Sequence, residues 1–328
     1  MRWNIFFIFI CRLIFAIDYD CVIIGTSPIP LFEALYQHAL GNKVLIVEAD
    51  EVCGGAWKSV NVCNIENADL GCHQIGKDQK LKDFLEVYGG CKLISLDQTN
   101  ISYNSKIHTE RGFYFSNGCF ELVHNLEKMI SNTSISLKLN TEIESVEIDS
   151  TNEFAILKTK NQSFSTKKIF ITPFTFFKTE QVKFPPKKTN FYHLYLLIAD
   201  PTPPKFGYLD RSIVGTSRIV NLSYMTKIAE SGRQLIVLQT SKKENLDKGE
   251  LFLEELKKKN LIDSSASLLC TETCAFEQWP SNSIRIKNFP PSYQEFFELI
   301  ETFHISRMTK FIPKWESALK PYSEMVRE

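Results

Sequence analysis

The segment from Asp18 to Ala49 constrains the fold most, because it has the pattern of a strand, a tight turn, a helix and a second strand. Its first part, DCVIIG from Asp20 to Gly25, is a short apolar run that ends in glycine, as expected for a buried parallel strand followed by a turn. Apolar residues at helical spacing follow, and the run KVLIVE then ends at Glu48. The segment therefore predicts a right-handed βαβ unit.

The turn between this strand and the helix has the position of a dinucleotide-binding loop. Such a loop needs small residues, so that backbone N–H groups at the helix N-terminus can approach a pyrophosphate, and an acid at the end of the second strand for the ribose hydroxyls. The turn reads GTSPIP from Gly25 to Pro30, and Glu48 follows Gly25 by 23 positions. On the turn alone, an α/β domain that binds no dinucleotide is an alternative, with Glu48 a solvated carboxylate at a strand end.

The rest of the chain contains further predicted helices and strands. Apolar residues at helical spacing predict helices over Lys80 to Tyr88, Glu121 to Ile130 and Glu250 to Lys259. The predicted strands are SLKLNT, IESVEI, FAILKTK, KKIFITP, FYHLYLLIA, RIVNLSYM and RQLIVLQT. KKIFITP is expected to be a buried strand that returns to the first sheet.

Composition and charge limit the function classes. The 328 residues are 44% hydrophobic, enough for a large core, and 38 basic residues balance 38 acidic ones. Because there is no net positive charge, nucleic-acid binding is not expected. The nine cysteines are an odd number without a CxxC pair, which predicts a reducing, cytoplasmic compartment and no metal site. Cys270 and Cys274 could lie one helical turn apart, and are interpreted as buried structural thiols.

The first 17 residues, MRWNIFFIFICRLIFAI, form an apolar run with a basic residue near its start. Such a run is compatible with a signal peptide or a short membrane anchor, so secretion and membrane contact through residues 1–17 stay open. Arg12 interrupts the run, which is shorter than the roughly 20 residues of a membrane-spanning helix. An apolar extension packed on the body of the protein is the alternative.

Further motifs occur in the order found in one flavoprotein superfamily. Gly54 and Gly55 follow the predicted ribose acid in EADEVCGGAWKS, and the later motifs are ADLGCHQI, YFSNGCFELVHNLEKMI, LNTEIESVEI and KKIFITP. They resemble the second glycine motif, the D-x-G-x-H element, the Y-P-x-G-G segment and the following strands of the superfamily that includes amine oxidases, protoporphyrinogen oxidase, phytoene desaturase and UDP-galactopyranose mutase. The resemblance spans roughly residues 18 to 175.

This resemblance implies an α/β fold, with an FAD-type doubly wound Rossmann-like domain and a smaller mixed-sheet α+β substrate domain. The FAD-binding domain would comprise residues 18–76 and 113–184, and the substrate domain residues 77–112 and 185–290. Residues 1–17 would form an apolar N-terminal extension, and residues 291–328 a C-terminal helical segment.

The resemblance also implies roles for single residues at the first glycine turn and the ribose acid. Glu48 would bind the adenosine ribose of FAD, and the next residue, Ala49, would belong to the same cofactor-binding segment. Gly25, Thr26 and Ser27 would face its pyrophosphate.

Positions further along the chain complete the implied site. Gly54 and Gly55 would let the chain pass close to the cofactor, and Ile143 would offer its backbone N–H and C=O to the adenine. Trp57 would either stack near the flavin or fill the core beside the glycine pair. His73 is the candidate catalytic residue, because the resemblance puts it near the isoalloxazine ring, where an imidazole can move protons near neutral pH. A structural loop histidine is the alternative for His73.

Two departures from the superfamily bear on function. Ser27 and Pro30 stand where the turn has its second and third glycine, and the closing G-D-x-x-x-G-like segment is not found in the C-terminal sequence. The resemblance implies an FAD-dependent oxidoreductase that transfers a hydride or electrons between flavin and a small organic substrate. The departures leave open a non-catalytic binding or scaffolding protein that keeps the fold, similar to Rab GDP-dissociation inhibitors. In either case, Asp69 is expected to order its loop.

Overall fold

The structure is a computed structural model of the chain. It describes residues 17–70, 75–101, 107–149, 151, 153–172, 189–210, 216, 218–226, 228–278, 291–300 and 305–323. The candidate catalytic residue His73 and residues 1–16 of the apolar N-terminal run lie outside these ranges. Within the described part of the chain, no helix combines the length and the apolar composition that crossing a membrane requires.

The described residues form sixteen strands and seven α-helices. The strands are β1 (Tyr19–Ile24), β2 (Val44–Val47), β3 (Ser59–Val62), β4 (Ile65–Asp69), β5 (Leu93–Ile101), β6 (Ile107–Phe115), β7 (Ser136–Lys138), β8 (Ser145–Asp149), β9 (Phe154–Lys158), β10 (Ser163–Ile171), β11 (Thr189–Ala199), β12 (Tyr208–Asp210), β13 (Arg218–Asn221), β14 (Arg233–Thr240), β15 (Ser267–Gln278) and β16 (Phe297–Leu299). The helices are α1 (Pro28–Ala39), α2 (Gln79–Tyr88), α3 (Phe120–Ser131), α4 (Leu222–Thr226), α5 (Gly249–Lys258), α6 (Pro291–Gln294) and α7 (Ile312–Leu319).

Five parallel strands form the centre of the first sheet, in the order β7-β2-β1-β10-β16. Numbered along the chain this order is 3-2-1-4-5, the arrangement of a doubly wound dinucleotide-binding fold. The hairpin of β8 and β9 continues into the N-terminal part of β10 through antiparallel pairing. The predicted βαβ unit, the FAD-type Rossmann-like sheet and the return of KKIFITP to this sheet are confirmed.

The strand β1 forms at the centre of this sheet because both of its faces are apolar. Val22 and Ile23 point to opposite faces and are both fully buried, as is usual for a parallel strand covered on two sides. One face packs against the apolar sides of α1 and α3, and the other packs against β8 and β9. The carboxyl ends of β1 and β2 therefore meet the N-terminus of α1 at one edge of the sheet.

The second sheet has the order β15-β11-β14-β13-β12-β5-β6 and is mixed, because β12 pairs with β5 in parallel and the other pairs are antiparallel. Its outer face is covered by α5, through Phe252 and Leu256. Its inner face, which includes Tyr195, Leu197 and Val237, joins the core shared with α1 and the first sheet. The predicted α/β class with a mixed second sheet is confirmed, while the predicted domain boundaries stay a prediction.

Three local predictions are wrong. RIVNLSYM is a strand only over β13, because the Asn221 side chain accepts the Tyr224 N–H at 3.2 Å and starts the helix α4. Cys270 and Cys274 lie on the edge strand β15, paired with β11, and both are only half-buried. Residues 291–328 contain the strand β16 as well as helices, since an edge of the first sheet beside β10 accepts it.

Candidate functional site

The turn from Gly25 to Pro30 keeps the shape of a dinucleotide-binding loop but has few donors. Gly25 has φ +105°, and open space lies where its Cβ would be. Ser27 is the N-cap of α1, in extended conformation, and its side chain does not cap the helix. Pro28 and Pro30 fit the first helical turn, where N–H groups have no acceptor within the helix. Of the first three helical residues, only Ile29 therefore carries an N–H.

Thr26 connects the turn to the ribose-acid position. Its hydroxyl donates to Glu48 Oε2 at 2.5 Å and accepts the Gly54 N–H at 3.0 Å. The other carboxylate oxygen of Glu48 accepts the Asp50 N–H at 3.1 Å. Thr26 is buried, Glu48 is half-buried and Ala49 is exposed. The carboxylate is thus fixed at the end of β2, and each oxygen keeps a further lone pair for a hydroxyl group.

The two glycines after β2 differ in the space available for a side chain. Gly54 has φ +114°, and a Cβ there would lie 3.0 Å from the backbone nitrogen of Lys58, so only glycine fits. Gly55 has φ +55° and open space at its Cβ position. Trp57 is buried in the core, edge-on to the Phe115 ring at 5.9 Å between centroids. Of the two roles predicted for Trp57, the structure therefore supports filling the core beside the glycine pair.

Ile143 lies close to the carboxyl end of β2. Two residues before it, the Thr141 N–H donates to the Glu48 carbonyl at 2.7 Å. The Ile143 side chain is buried against the strands of the first sheet. Its backbone N–H and C=O make no hydrogen bond with another described residue. These two groups are therefore free, as far as the described chain shows, to meet the polar edge of an adenine.

Taken together, the site fits the adenosine half of a dinucleotide better than the pyrophosphate. Gly25 and Gly55 leave room for close approach, and the Glu48 carboxylate is oriented before any ligand binds. At the helix N-terminus, in contrast, Pro28 and Pro30 carry no N–H. The residues are suited to FAD, with a reduced number of donors for its phosphates.

Asp69, in the D-x-G-x-H motif, has a buried carboxylate. Its Oδ2 accepts the Tyr114 hydroxyl at 2.6 Å and its Oδ1 accepts the Cys119 N–H at 2.8 Å, while its backbone carbonyl accepts the Tyr195 hydroxyl at 3.0 Å. Burial raises the pKa of Asp69 to about 6, against the hydrogen bonds that favour the carboxylate. Asp69, four positions before His73 in the sequence, therefore connects β4 to α3 and β11.

His193 is a polar residue of the core that the sequence interpretation did not select. It lies on the inner face of β11, two residues from Tyr195, and is 3% exposed. Its Nδ1 has no hydrogen-bond partner among the described residues. Burial, with a smaller effect of the Arg218 charge, lowers the pKa of His193 to about 4, so the ring is neutral at neutral pH. The sequence feature that could have identified His193 is its position as the single histidine in the apolar run FYHLYLLIA.

Comparison with known proteins connects this geometry to a fold. No family model and no curated protein matches the sequence. The structure is similar to reduced UDP-galactopyranose mutase, with a TM-score of 0.67 and 11% identity over 94% of each chain. It is also similar to a putrescine oxidase variant with redesigned cofactor binding, with a TM-score of 0.58 and 10% identity over 93% of this chain and 99% of that one. For Rab GDI from Plasmodium falciparum, the TM-score is 0.52 and the identity 11% over 92% of this chain and 98% of that one.

These similarities confirm the predicted resemblance to the amine oxidase type of flavoprotein at the level of the fold. They extend over nearly the whole chain, including the region after residue 175 in which the sequence shows no sharp motif. With identities near 10%, they show a shared fold. Activity and substrate have to be argued from the residues of the site.

Proposed function

We propose that this chain binds FAD and acts as a flavin-dependent oxidoreductase on a small organic substrate. The observation that carries the proposal is the Glu48 carboxylate, held by Thr26 and Asp50 at the end of the second parallel strand. In a doubly wound sheet, an acid at this position holds the ribose hydroxyls of a dinucleotide. The similarity to an oxidase over nearly the whole chain supports the redox part of the proposal.

Each part of the cofactor has a counterpart among these residues. Glu48 would bind the adenosine ribose, and the backbone of Ile143 would bind the adenine. Ser27, through its N–H and its hydroxyl, and Ile29, through its N–H, would hold the pyrophosphate. Gly55 would let the chain pass close to the cofactor, because a side chain there would occupy the open space.

FAD, when bound, supplies the hydride or electron transfer, and the protein supplies position, electrostatics and protons. On the inner face of the second sheet, the neutral ring of His193 can donate or accept one hydrogen bond at Nδ1. That atom is a candidate for orienting a polar group of the substrate. His73 remains the predicted group for proton transfer near the flavin.

The test is flavin binding by wild type and a matched pair of variants. The purified protein is incubated with FAD, desalted and examined for flavin absorbance, and its affinity is then measured by titration. Glu48→Gln is expected to weaken FAD binding by roughly 10- to 100-fold, the range that follows from losing a charge-assisted hydrogen bond. Glu51→Gln, at an exposed position three residues later, is the control and should bind FAD like wild type.

A wild-type protein that is folded and retains no flavin would refute the proposal. An equal effect of the two substitutions would show that Glu48 does not hold the ribose. Flavin absorbance in the wild type, with the loss confined to Glu48→Gln, would support the assignment and direct further work to the substrate.

A non-catalytic binding protein is the second candidate, and Pro28 and Pro30 favour it because they remove donors that a pyrophosphate would use. The similarity to Rab GDI is compatible with it. The two candidates differ in flavin reduction. Bleaching of protein-bound flavin by an amine, a polyene or a sugar nucleotide under anaerobic conditions would exclude the non-catalytic candidate.

A further inference from the structure

Two cysteines and a glutamate from distant parts of the chain meet between the β3–β4 hairpin and the edge strand β15. The Sγ atoms of Cys63 and Cys270 and a carboxylate oxygen of Glu272 all lie within 4.8 Å of one another. We propose that these three side chains bind a divalent ion of the zinc class. Thiolate sulfur with one carboxylate oxygen is a donor set that suits Zn²⁺ and not Mg²⁺ or Ca²⁺, which prefer oxygen alone.

The backbone at Cys63 has a conformation that costs free energy. Cys63 and Asn64 form the two-residue turn of the β3–β4 hairpin, with φ of +52° and +61°. Turns of this kind favour Asn-Gly, and a cysteine in the left-handed region is uncommon. This conformation turns the thiol of Cys63 toward Cys270 and Glu272, and strain of this kind is typical of positions with a functional constraint.

Glu272 is already oriented toward the thiols. Its Oε1 accepts the Cys63 N–H at 2.8 Å, which leaves the other oxygen for an ion. Ligands that are fixed by a second hydrogen bond in this way bind metals with less reorganisation. Cys270 and Glu272 point to the same face of β15, and the pairing of β15 with β11 skips Leu269, immediately before Cys270. A bulge at that point re-aims the side chain that follows it.

The spacing of the three donors is close to that of a tetrahedral site. With Zn–S near 2.3 Å and Zn–O near 2.1 Å, donors around zinc lie roughly 3.5–3.8 Å apart, so the present separations need side-chain shifts of no more than about 1 Å. A cavity of about 440 Å³, lined by both cysteines and by Glu66, Glu230 and Arg233, adjoins the site. Water from this cavity can fill the fourth position.

The spacing of the cysteines predicted no metal site, because the three proposed ligands come together only in the folded chain. Cys63 and Glu272 are 209 positions apart, so no local motif connects them. All seven cysteines of the described chain are free thiols. The ion would tie the β3–β4 hairpin to β15, using none of the residues proposed to hold FAD.

The experiment is a Co²⁺ titration of the purified full-length chain, with elemental analysis for zinc in the protein as isolated. We expect one ion per chain and the visible and ultraviolet bands of tetrahedral cobalt with thiolate ligands. Cys270→Ser and Cys63→Gly should abolish these bands, and Glu272→Gln should weaken binding. Cys63→Gly also removes the backbone cost of a positive φ, so the metal-free variant should remain folded.

The controls are Asn64→Gly, at the other residue of the turn, and Cys274→Ser, four residues along β15. In the wild type, Zn²⁺ is expected to raise Tm, because an ion that binds the folded state stabilises it. Both controls should retain this rise and the cobalt bands. Cobalt bands that persist in Cys63→Gly and Cys270→Ser would overturn the proposal. So would a Cys63–Cys270 disulfide, found by peptide mapping in protein whose thiols were alkylated at cell lysis.

Discussion

Asp69→Asn is expected to make stability rise with pH over a range in which two buried groups, Asp69 and His193, leave the wild type nearly independent of pH. Burial raises the pKa of Asp69 from 3.8 to about 6, so the folded state keeps a proton that the unfolded chain has lost. Its contribution to stability is therefore complete below about pH 4 and is lost as pH rises through about 6. Burial lowers the pKa of His193 from 6.5 to about 4, so its contribution is present above about pH 6.5 and is lost as pH falls.

The magnitudes are similar and the directions opposite. Each pKa differs from its ordinary value by a little over two units, which corresponds to about 3 kcal/mol of unfolding free energy. Between about pH 4 and about pH 6.5 the two contributions nearly cancel in the wild type. In Asp69→Asn only the His193 contribution remains, so the unfolding free energy should rise by about 3 kcal/mol over this range.

The measurement is urea unfolding of each variant at a series of pH values. His193→Gln should show the reverse, a fall of about 3 kcal/mol as pH rises over the same range, and the double variant should again be nearly flat. Asn at position 69 can still accept the Cys119 N–H, so the variant is expected to fold. The control is Asp20→Asn, since Asp20 has a lowered pKa, chiefly from its hydrogen bond with Lys167, and its side chain is 34% exposed, unlike the buried Asp69.

Asp20→Asn should therefore change stability by less than about 1 kcal/mol, and in the direction opposite to Asp69→Asn. Parallel stability curves for wild type, Asp69→Asn and His193→Gln would refute the reasoning about both buried groups.

Two further predictions concern the packing around α1. Glu33→Ala should lower the unfolding free energy by about 2–3 kcal/mol, because the buried carboxylate accepts from the indole N–H of Trp315. Lys314→Gln should cost less than Glu33→Ala, because Gln37 and Trp315 still donate to the carboxylate. Equal urea midpoints for the two variants would contradict this. Gly54→Ala should lower the unfolding free energy by about 2–3 kcal/mol, because Gly54 has φ +114° and an added Cβ would lie 3.0 Å from the Lys58 backbone. Gly41→Ala should lower it by about 1 kcal/mol, because Gly41 has φ +85° but open space at the Cβ position. Thermal unfolding measures both. Similar Tm values for the two glycine variants would show that the close contact is relieved at little cost.

The elements that could be predicted from sequence are those with a strong local pattern. RQLIVLQT coincides with β14, from Arg233 to Thr240, because this central strand is buried along nearly its whole length. The unit from β1 to β2 was predicted for the same reason, with a glycine turn in addition. The edge strand β15 was not predicted, since several of its residues are exposed and Cys270 and Cys274 fit a helical spacing equally well.

The contacts of the site could be predicted only where they lie within one motif. Glu48 was identified because its position is fixed by the spacing from Gly25. The contact of Tyr195 with Asp69 joins residues 126 positions apart, and the unpaired nitrogen of His193 depends on how the second sheet packs on the first. The periodicity of a sequence carries no information about contacts between such distant residues. The residues on the inner face of the second sheet could therefore be identified only from the structure.

The two prolines give the proposed cofactor site an uneven distribution of binding energy. A hydrogen bond from a backbone N–H to a charged group contributes about 1.5–3 kcal/mol, so the donor lost at Pro28 corresponds to roughly a 10- to 100-fold loss of affinity for a pyrophosphate. Nothing comparable is lost at Glu48, whose carboxylate is already held by Thr26. In this chain FAD recognition would therefore depend on the adenosine end more than it does in a site with three glycines. For that reason the comparison of Glu48→Gln with Glu51→Gln separates a working flavin site from a retained fold.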